Sequence, residues 1–433
     1  MRKPDPACVF LSSKENLLSL NALAASVECT PGHERTALYF EKNYAALSAR
    51  IEAVIAERGV CAAGFSFFTS RFEETVKTAA KLRGHFKKGL YLVAGGPHAT
   101  ALPQTALSAG FDAACIGEGE DTFPELLKAI AENPAGPAFE TVRGIMYACG
   151  GKPARTAPRP QADLARFPSI SQRYARYGAV EISRGCPHGC NFCQTTRIFG
   201  PKIRHRPAAL IAEQVRFMRT IGFVDVRLIT SNAFAYGSPD GITLNLPALE
   251  ELLSALTKVS APGGRIYFGS FPSEVRPEHV TRETVALVKR YAANDNLIIG
   301  AQSGSERMLQ LSNRHHGVKE ITRALEITRQ AGLKTNLDFI FGLPGETGAD
   351  ALETVRFIRA ITGPGVRIHA HTFMPLPGTP FADAPLNHNR EYYEPLVREL
   401  IRHGRIYGGW ISQKTIAEHT SASAAPKSGP VKL

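Results

Sequence analysis

The sequence predicts an α/β protein in two parts. Residues 1–148 read as an open, doubly wound (Rossmann-like) parallel sheet, and residues 176–385 as a partial (βα)6 barrel of the TIM type. Three observations predict this. Short apolar runs alternate with amphipathic helical patterns along most of the chain. The alternation breaks in a stretch at 149–175 that begins CGGKPARTAPRP, rich in Pro, Gly, Ala and Arg, which reads as a linker. The length of 433 residues also exceeds one ordinary domain of roughly 150 residues.

Composition narrows the class. Hydrophobic residues make up 44% and charged residues 21%, as in a globular protein, and the 38 Gly and 29 Pro follow no short period. Disordered, fibrous and collagen-like readings are excluded. Fifty-one Lys and Arg against 39 Asp and Glu leave a net charge of +12, a balance that favours phosphates, RNA or anionic cofactors. The best candidate for a membrane span, the uncharged run Leu90 to Phe111, is broken by Gly95, Gly96, Pro97 and Pro103, so no membrane-spanning helix is expected. MRKPDPACVFLSS is too short and too broken for a signal peptide. Eight cysteines in this length are no disulfide framework, and three within residues 186–193 point to metal chemistry in a reducing cytoplasm.

In the first part, strands are expected at 7–13, 34–40, 60–69, 90–96 and 113–119. Helices are expected at 15–28, 43–59, 72–83, from about 103, and at 121–133. Ligands of such sheets bind beyond the carboxyl ends of the strands. The loops there hold Phe67, Phe68, Thr69 and Ser70; then Gly95, Gly96, Pro97, His98, Ala99 and Thr100; then Gly117, Glu118, Gly119 and Glu120. Glycines directly after a strand let the backbone approach a bulky ligand, although any one of them could be a plain turn residue.

The pair GGPHAT and GEGE resembles the cobalamin-binding domain that precedes many radical S-adenosylmethionine (radical SAM) enzymes, over about residues 5–145. The resemblance implies cobalamin on the strand ends, against Phe68, Thr69, Ser70, Gly95, Gly96, Pro97, His98, Gly117, Glu118 and Gly119. The Asp-x-His-x-x-Gly motif that supplies a lower histidine ligand in methionine-synthase-type domains is missing, because no Asp lies between Asp5 and Asp112. His98 has two readings, a loop histidine bonding backbone or phosphate and, less favoured, a cobalt ligand.

After the linker, the strand 177–185 runs into Cys186-Pro-His-Gly-Cys190-Asn-Phe-Cys193. C-x3-C-x2-C puts three thiolates on one tight loop, enough for three irons of a cubane cluster with the fourth left open. A structural zinc needs a fourth ligand, for which His188 is the near candidate. With Phe192 before the last cysteine, the spacing looks like the radical SAM signature. That resemblance implies a 4Fe–4S cluster on Cys186, Cys190 and Cys193, S-adenosylmethionine chelated at the open iron, and reductive cleavage to methionine and a 5′-deoxyadenosyl radical. Arg184, Arg197, Lys202, Arg204 and Arg206 follow with no acidic residue between Glu181 and Glu213, either an electropositive setting for the cluster or a solvated basic face.

Five further strands are expected at 224–234, 265–275, 296–305, 335–347 and 366–380, with helices between, which completes six βα units. Gly300, Gln302, Ser303, Gly304 and Ser305, followed by Arg314, resemble the fourth-strand segment that meets the ribose and carboxylate of S-adenosylmethionine. The run Asp338 to Thr347, containing Gly342, Pro344, Gly345 and Glu346, resembles the fifth-strand motif beside the adenine. Pro375, Gly378, Thr379 and Pro380 are common in the cobalamin-dependent and methylthiotransferase branches. The resemblance thus gives Phe192, Gln302, Ser303, Ser305, Gly345 and Glu346 as S-adenosylmethionine contacts. Ser231, Asn232, Ala233 and Phe234 stand where the family often has Gly-Gly-Glu. A helix over 390–405 and a disordered tail from about 419 complete the 386–433 segment.

The expected function is that of a cobalamin-dependent radical SAM enzyme, favouring methyl transfer to an unactivated carbon, with rearrangement or cyclisation open. The implied partners are a small-molecule or peptide substrate and an electron donor such as flavodoxin or ferredoxin, with no membrane and no nucleic acid. Methylthiotransferases need a second cysteine triad, but Cys8, Cys29, Cys61 and Cys115 are scattered over different elements. They also carry a C-terminal RNA-binding barrel, for which about 48 residues after Pro385 leave no room. A non-catalytic iron–sulfur or cobalamin sensor is the competing class.

Overall fold

The computed structural model describes residues 4–387 and 389–424. The chain divides into two compact units. The first runs to Glu181 and includes Arg204–Val226; the second comprises Ile182–Ile203 and the chain from Arg227.

The first unit is built on a seven-stranded sheet. Strands β1 (Ala7–Leu11), β2 (Ala37–Glu41), β3 (Cys61–Ser66), β4 (Leu90–Gly95) and β5 (Ala113–Cys115) lie parallel in the order β2-β1-β3-β4-β5. The order reverses between β1 and β3, and a crevice opens beyond strand ends at such a switch point. Alternation along β1 feeds both faces. Val9 packs with Leu47, Ile51, Leu82 and Phe111 on one side, and Cys8 and Phe10 pack with Leu20, Leu126 and Ile130 on the other. Helix Tyr44–Arg58 shows local sequence logic: Asn43 caps it by accepting from the Ala46 N–H, and Gly59 stops it at φ 78°.

Two expectations need correction here. The sheet does not end at residue 148, because β6 (Ile145–Cys149) and β7 (Lys152–Arg155) form an antiparallel hairpin on the β5 edge. The expected linker therefore begins inside the sheet. Gly150 and Gly151, both at positive φ, read as linker glycines but are the turn of that hairpin. The GGPHAT segment is not a loop either, since Gly96–Ala101 is a short helix.

In the second half all six expected strands are present: β8 (Val180–Glu181) continued by β9 (Ser183–Arg184), then β11 (Asp225–Ile229), β12 (Arg265–Tyr267), β13 (Asn296–Gln302), β14 (Lys334–Phe341) and β15 (Val366–Thr372). The short β10 (Arg204–His205) precedes β11. β13, β14 and β15 are parallel neighbours, and an unexpected strand, β16 (Ile406–Tyr407), adds to the β15 edge. Leu337 and Phe339 of β14 are buried under the helices, while Asn336, Asp338 and Ile340 take the opposite, partly open face. The tail expected to be disordered from 419 is helical as far as it is described, in helix Trp410–Ala424. Its remainder lies outside the described residues. No described helix is long and apolar enough to cross a membrane.

Candidate functional site

The three cysteines lie on a loop held by bonds independent of their sulfurs. Cys186 N–H donates to Gly200 O (3.2 Å), Thr196 Oγ1 donates to Cys186 O (2.8 Å) and Cys193 N–H donates to Cys190 O (3.0 Å). Asn313, at φ 56°, ties the loop down by donating from Nδ2 to His188 O (3.0 Å). Two guanidinium groups face one sulfur: Arg314 Nη1 is 3.5 Å and Arg276 Nη1 4.0 Å from Cys190 Sγ. The Thr195 N–H points at Cys193 Sγ (3.5 Å). Burial pushes the Cys186 and Cys193 thiols up, and the neighbouring sulfurs add to this, so three bare thiolates need compensating positive charge.

This donor set fits a 4Fe–4S cluster. Among the described residues the only His, Cys, Asp or Glu trio with ligand atoms within 4.8 Å of one another is Asp338–His369–His371. At least one pair of the cysteine sulfurs therefore stands wider apart than the roughly 3.8 Å that a tetrahedral zinc with Zn–S near 2.3 Å imposes. His188, the candidate fourth zinc ligand, is buried with Nε2 unpartnered, its pKa lowered to about 3 by burial and then by Arg276.

Next to the loop, Gly300 lacks a side chain where three polar groups converge. A Cβ there would meet Gln302 Nε2 and Glu274 Oε2 at 2.9 Å and Arg314 Nη2 at 3.1 Å. Gln302 has φ 71°, with an irregularity in the β13–β14 register between Gly300 and Gln302 that re-aims its side chain. Burial, and then the Asp338 carboxylate, push Glu274 up to about 7. Phe192 packs with Ile340, Leu343 and Phe373 beside the loop.

The other expected contacts are also bonded within the fold. Ser305 caps helix Glu306–Leu311 and donates to Asp350 Oδ1 (2.8 Å), and Ser303 bonds Thr354 (3.2 Å). The Gly345 carbonyl accepts from Arg307 (2.6 Å). Glu346 is buried, accepts from Tyr393 OH (2.6 Å) and leaves Oε2 unpartnered. Its position in the Gly-Glu-Thr motif suggested a ligand contact, and its side chain is engaged by Tyr393 of helix Arg390–Arg402. Burial pushes its carboxyl up to about 7. Its protonated form is favoured in the folded state, so its contribution to stability is complete below about pH 4.5 and is lost as pH rises through 7. We expect a loss of up to about 3 kcal/mol by pH 8, read as a falling Tm, and a flattened slope in Glu346→Gln.

The arginines expected around the cluster are mostly spent elsewhere. Arg204 pairs with Glu118 (Nη1 to Oε2, 3.0 Å), and the buried Arg206 pairs with Glu181 (2.7 Å) and donates to Leu164 O and Phe167 O. Arg184 stacks on Phe199, and Arg197 and Lys202 are exposed. Arg276 was missed. Its signal, an Arg-Pro following an acidic residue beyond the third strand, is weak in a single sequence. In the Ser231–Phe234 segment, Asn232 is buried and held by His279 (2.8 Å), which makes it a brace.

On the first unit, Phe68 and Ser70 are exposed, and Thr69, Gly95, Gly96, Pro97 and Gly117 are partly open, which leaves a shelf at the strand ends. Gly96, at φ 86°, passes so close to β3 that a Cβ would lie 2.8 Å from Phe67 N. Gly117, at φ 81°, faces open space, and its N–H donates to Thr100 Oγ1 (3.1 Å). Three expected contacts turn inward instead. Glu118 is bound by Arg204 and the Ala162 N–H (3.0 Å), and a Cβ on Gly119 would strike Leu23 at 2.6 Å. His98 is 2% exposed, stacks on Phe72 (4.3 Å), and engages Thr69 (3.1 Å) and Thr105 (2.9 Å) with its two ring nitrogens. Burial lowers its pKa to about 4. It is a core histidine, and it has no free nitrogen for a metal. His98→Ala should cost roughly 2–4 kcal/mol in denaturant melts through lost packing and hydrogen bonds.

Known proteins match both units. A model of the Radical SAM superfamily matches residues 180–358, and a model of the B12 binding domain matches residues 14–127. An uncharacterized protein of Methanopyrus kandleri is 29% identical, over 71% of this chain and 65% of its own. An uncharacterized methyltransferase of Pyrococcus horikoshii is 25% identical, over 66% of this chain and 61% of its own. The chain thus spans less than two thirds of either relative. The solved structure of TsrM from Kitasatospora setae, a radical S-adenosylmethionine methyltransferase with tryptophan and a S-adenosylmethionine analog bound, superposes with a TM-score of 0.66. It is 15% identical and covers 87% of this chain and 74% of that one, a likeness of fold.

Fold and three-cysteine loop together define a radical SAM protein with an N-terminal B12-binding domain. The chain thus carries a Radical SAM domain and a B12-binding domain, and these domains imply a 4Fe–4S cluster, S-adenosylmethionine and cobalamin as cofactors.

Proposed function

We propose that this protein is an enzyme that cleaves S-adenosylmethionine reductively and transfers a methyl group to an unactivated carbon of a small-molecule or peptide substrate. One observation carries the reading: the chain that holds the three-cysteine loop, with two guanidinium groups on Cys190, also holds a B12-binding domain with an open shelf at its strand ends. When bound, the cluster would supply the electron that splits the sulfonium, and cobalamin would carry the methyl group.

The chain's own residues take separable tasks. Cys186, Cys190 and Cys193 hold the cluster, and Arg276 and Arg314 offset its negative charge. Gln302, Glu274 and Arg314 around Gly300 receive the polar groups of S-adenosylmethionine, beside Phe192 and the backbone at Ser303, Ser305, Gly345 and Glu346. Phe68, Thr69, Ser70, Gly95, Gly96, Pro97 and Gly117 form the cobalamin shelf, with His98, Glu118 and Gly119 bracing it from behind. The electron donor is of flavodoxin or ferredoxin type. All eight cysteines are free, two of them exposed, which suits a reducing cytoplasm.

Methyl transfer is preferred over sulfur insertion because Cys8, Cys61 and Cys115 sit in three different strands, the first two fully buried. Anaerobically reconstituted protein should release 5′-deoxyadenosine under reduction, and a metabolite or peptide in cell extract should gain the mass of one methyl group. Iron-replete protein that released no 5′-deoxyadenosine would defeat the reading. Bound cob(II)alamin should show electron paramagnetic resonance lines without nitrogen splitting, alike in the wild type and in His98→Ala. Triplet-split lines would mean that a protein nitrogen ligates cobalt.

A further inference from the structure

On the open face of β14 and β15, Asp338, His369 and His371 stand together. The parallel register pairs Asp338 with His369, and His371 lies two residues on, so all three share one face. The hydrogen bonds around the two rings fix where each carries its proton. Asp338 Oδ1 lies 2.9 Å from His369 Nδ1, so the ring donates from Nδ1 to the carboxylate, and the tautomer this selects has its lone pair on Nε2. Tyr407 of β16 stacks on the same ring at 4.6 Å and holds its plane.

His371 is set the other way by Gln413, from helix Trp410–Ala424. The Thr372 N–H donates to Gln413 Oε1 (2.9 Å), so the amide cannot flip, and its Nε2 faces His371 Nδ1 at 3.2 Å. An NH2 group facing that nitrogen requires a lone pair there, which places the His371 proton on Nε2. Burial lowers the pKa of His371 and keeps the ring neutral. Among the described residues neither Nε2 has a hydrogen-bond partner, and neither is sealed in the interior. The rings are 4.2 Å apart. Because Nε2 of His371 carries the proton while Nδ1 is occupied, this trio is ill-suited to ligate a metal through both histidines.

We propose that His369 and His371 are the substrate-reading pair of the barrel, presenting a lone-pair acceptor beside an N–H donor, and that they recognise an amide group, which offers the complementary N–H and C=O. Asp338 and Gln413 are positioning residues that act by fixing the two tautomers. The inference rests on the enzyme reading above, because Asp338 neighbours Glu274, and Glu274 borders the Gly300 cradle. The site would therefore place an amide-bearing substrate next to the S-adenosylmethionine pocket.

The test labels the reconstituted protein with 15N-histidine and reads both rings by NMR, with His369→Asn and His371→Gln assigning the resonances. His369 should carry its proton on Nδ1 and His371 on Nε2. Gln413→Leu should release only the His371 preference, and Gln413→Asn should retain part of it. Acetamide, as the probe, should shift both Nε2 resonances saturably; N,N-dimethylacetamide, which has no N–H, should shift His371 alone. The same tautomer on both rings, no saturable shift with acetamide, or a stoichiometric divalent ion lost in His371→Gln would each overturn the proposal. Release of 5′-deoxyadenosine, measured in parallel, reports on the enzyme reading separately, since tautomers and probe binding do not depend on it.

Discussion

Replacing Cys186, Cys190 and Cys193 together by alanine will remove the brown iron–sulfur chromophore and all S-adenosylmethionine cleavage, while the protein remains folded. The sulfurs are the donors, but they do not hold the loop. Its shape comes from the Cys186–Gly200, Thr196–Cys186 and Asn313–His188 bonds, all of which use backbone atoms that alanine keeps. Nor does the loss of the thiolates leave Arg276 without counter-charge. Arg276 pairs with Glu278 (2.5 Å), and Glu278 also meets His316 (3.2 Å). Iron analysis after anaerobic reconstitution, with a thermal melt of the cluster-free forms, checks both halves. A full iron complement in the triple variant would refute the assignment, and a collapsed melt would mean that the sulfurs are structural.

Gly300→Ala will weaken S-adenosylmethionine binding about 100-fold, roughly 2.7 kcal/mol, and leave iron content and Tm nearly unchanged. The added methyl group would sit 2.9–3.1 Å from the ends of Gln302, Glu274 and Arg314. These are the tips of long side chains, so they can move aside at small cost to the fold. What they lose is their convergence, on which a polar ligand depends. The split between affinity and stability is the diagnostic, and isothermal titration of the reconstituted protein with S-adenosylmethionine measures it. A variant with unchanged affinity would move the pocket away from Gly300. Equal losses of affinity and Tm would make Gly300 a packing residue.

What was legible in the sequence has one physical source, the local pattern. Strand period and helix period are written into ten-residue windows, so β1 to β5 and all six barrel strands were found near their places, and each glycine-rich segment fell at a strand end. The C-x3-C-x2-C loop was equally legible, since three thiolates so close in sequence cannot be far apart in space. The hairpin β6–β7 escaped because its turn, Cys149-Gly150-Gly151-Lys152, has the composition of a linker, and β16 because two residues form no pattern.

Sequence alone thus determined that two α/β parts follow one another, that three cysteines form one donor loop, and that the first domain lacks a histidine placed by an Asp-x-His-x-x-Gly motif. Only the tertiary structure decided which way each polar side chain turns. It sent His98, Glu118 and Glu346 into the interior and brought Arg276 and Arg314 to Cys190. It also set His369 and His371 side by side as opposite tautomers through Asp338 and Gln413. The reason is physical. A strand's own periodicity fixes which face a residue takes, but the partner of a charge or a hydrogen bond comes from segments tens to hundreds of residues away, and only the folded chain brings those within 3 Å.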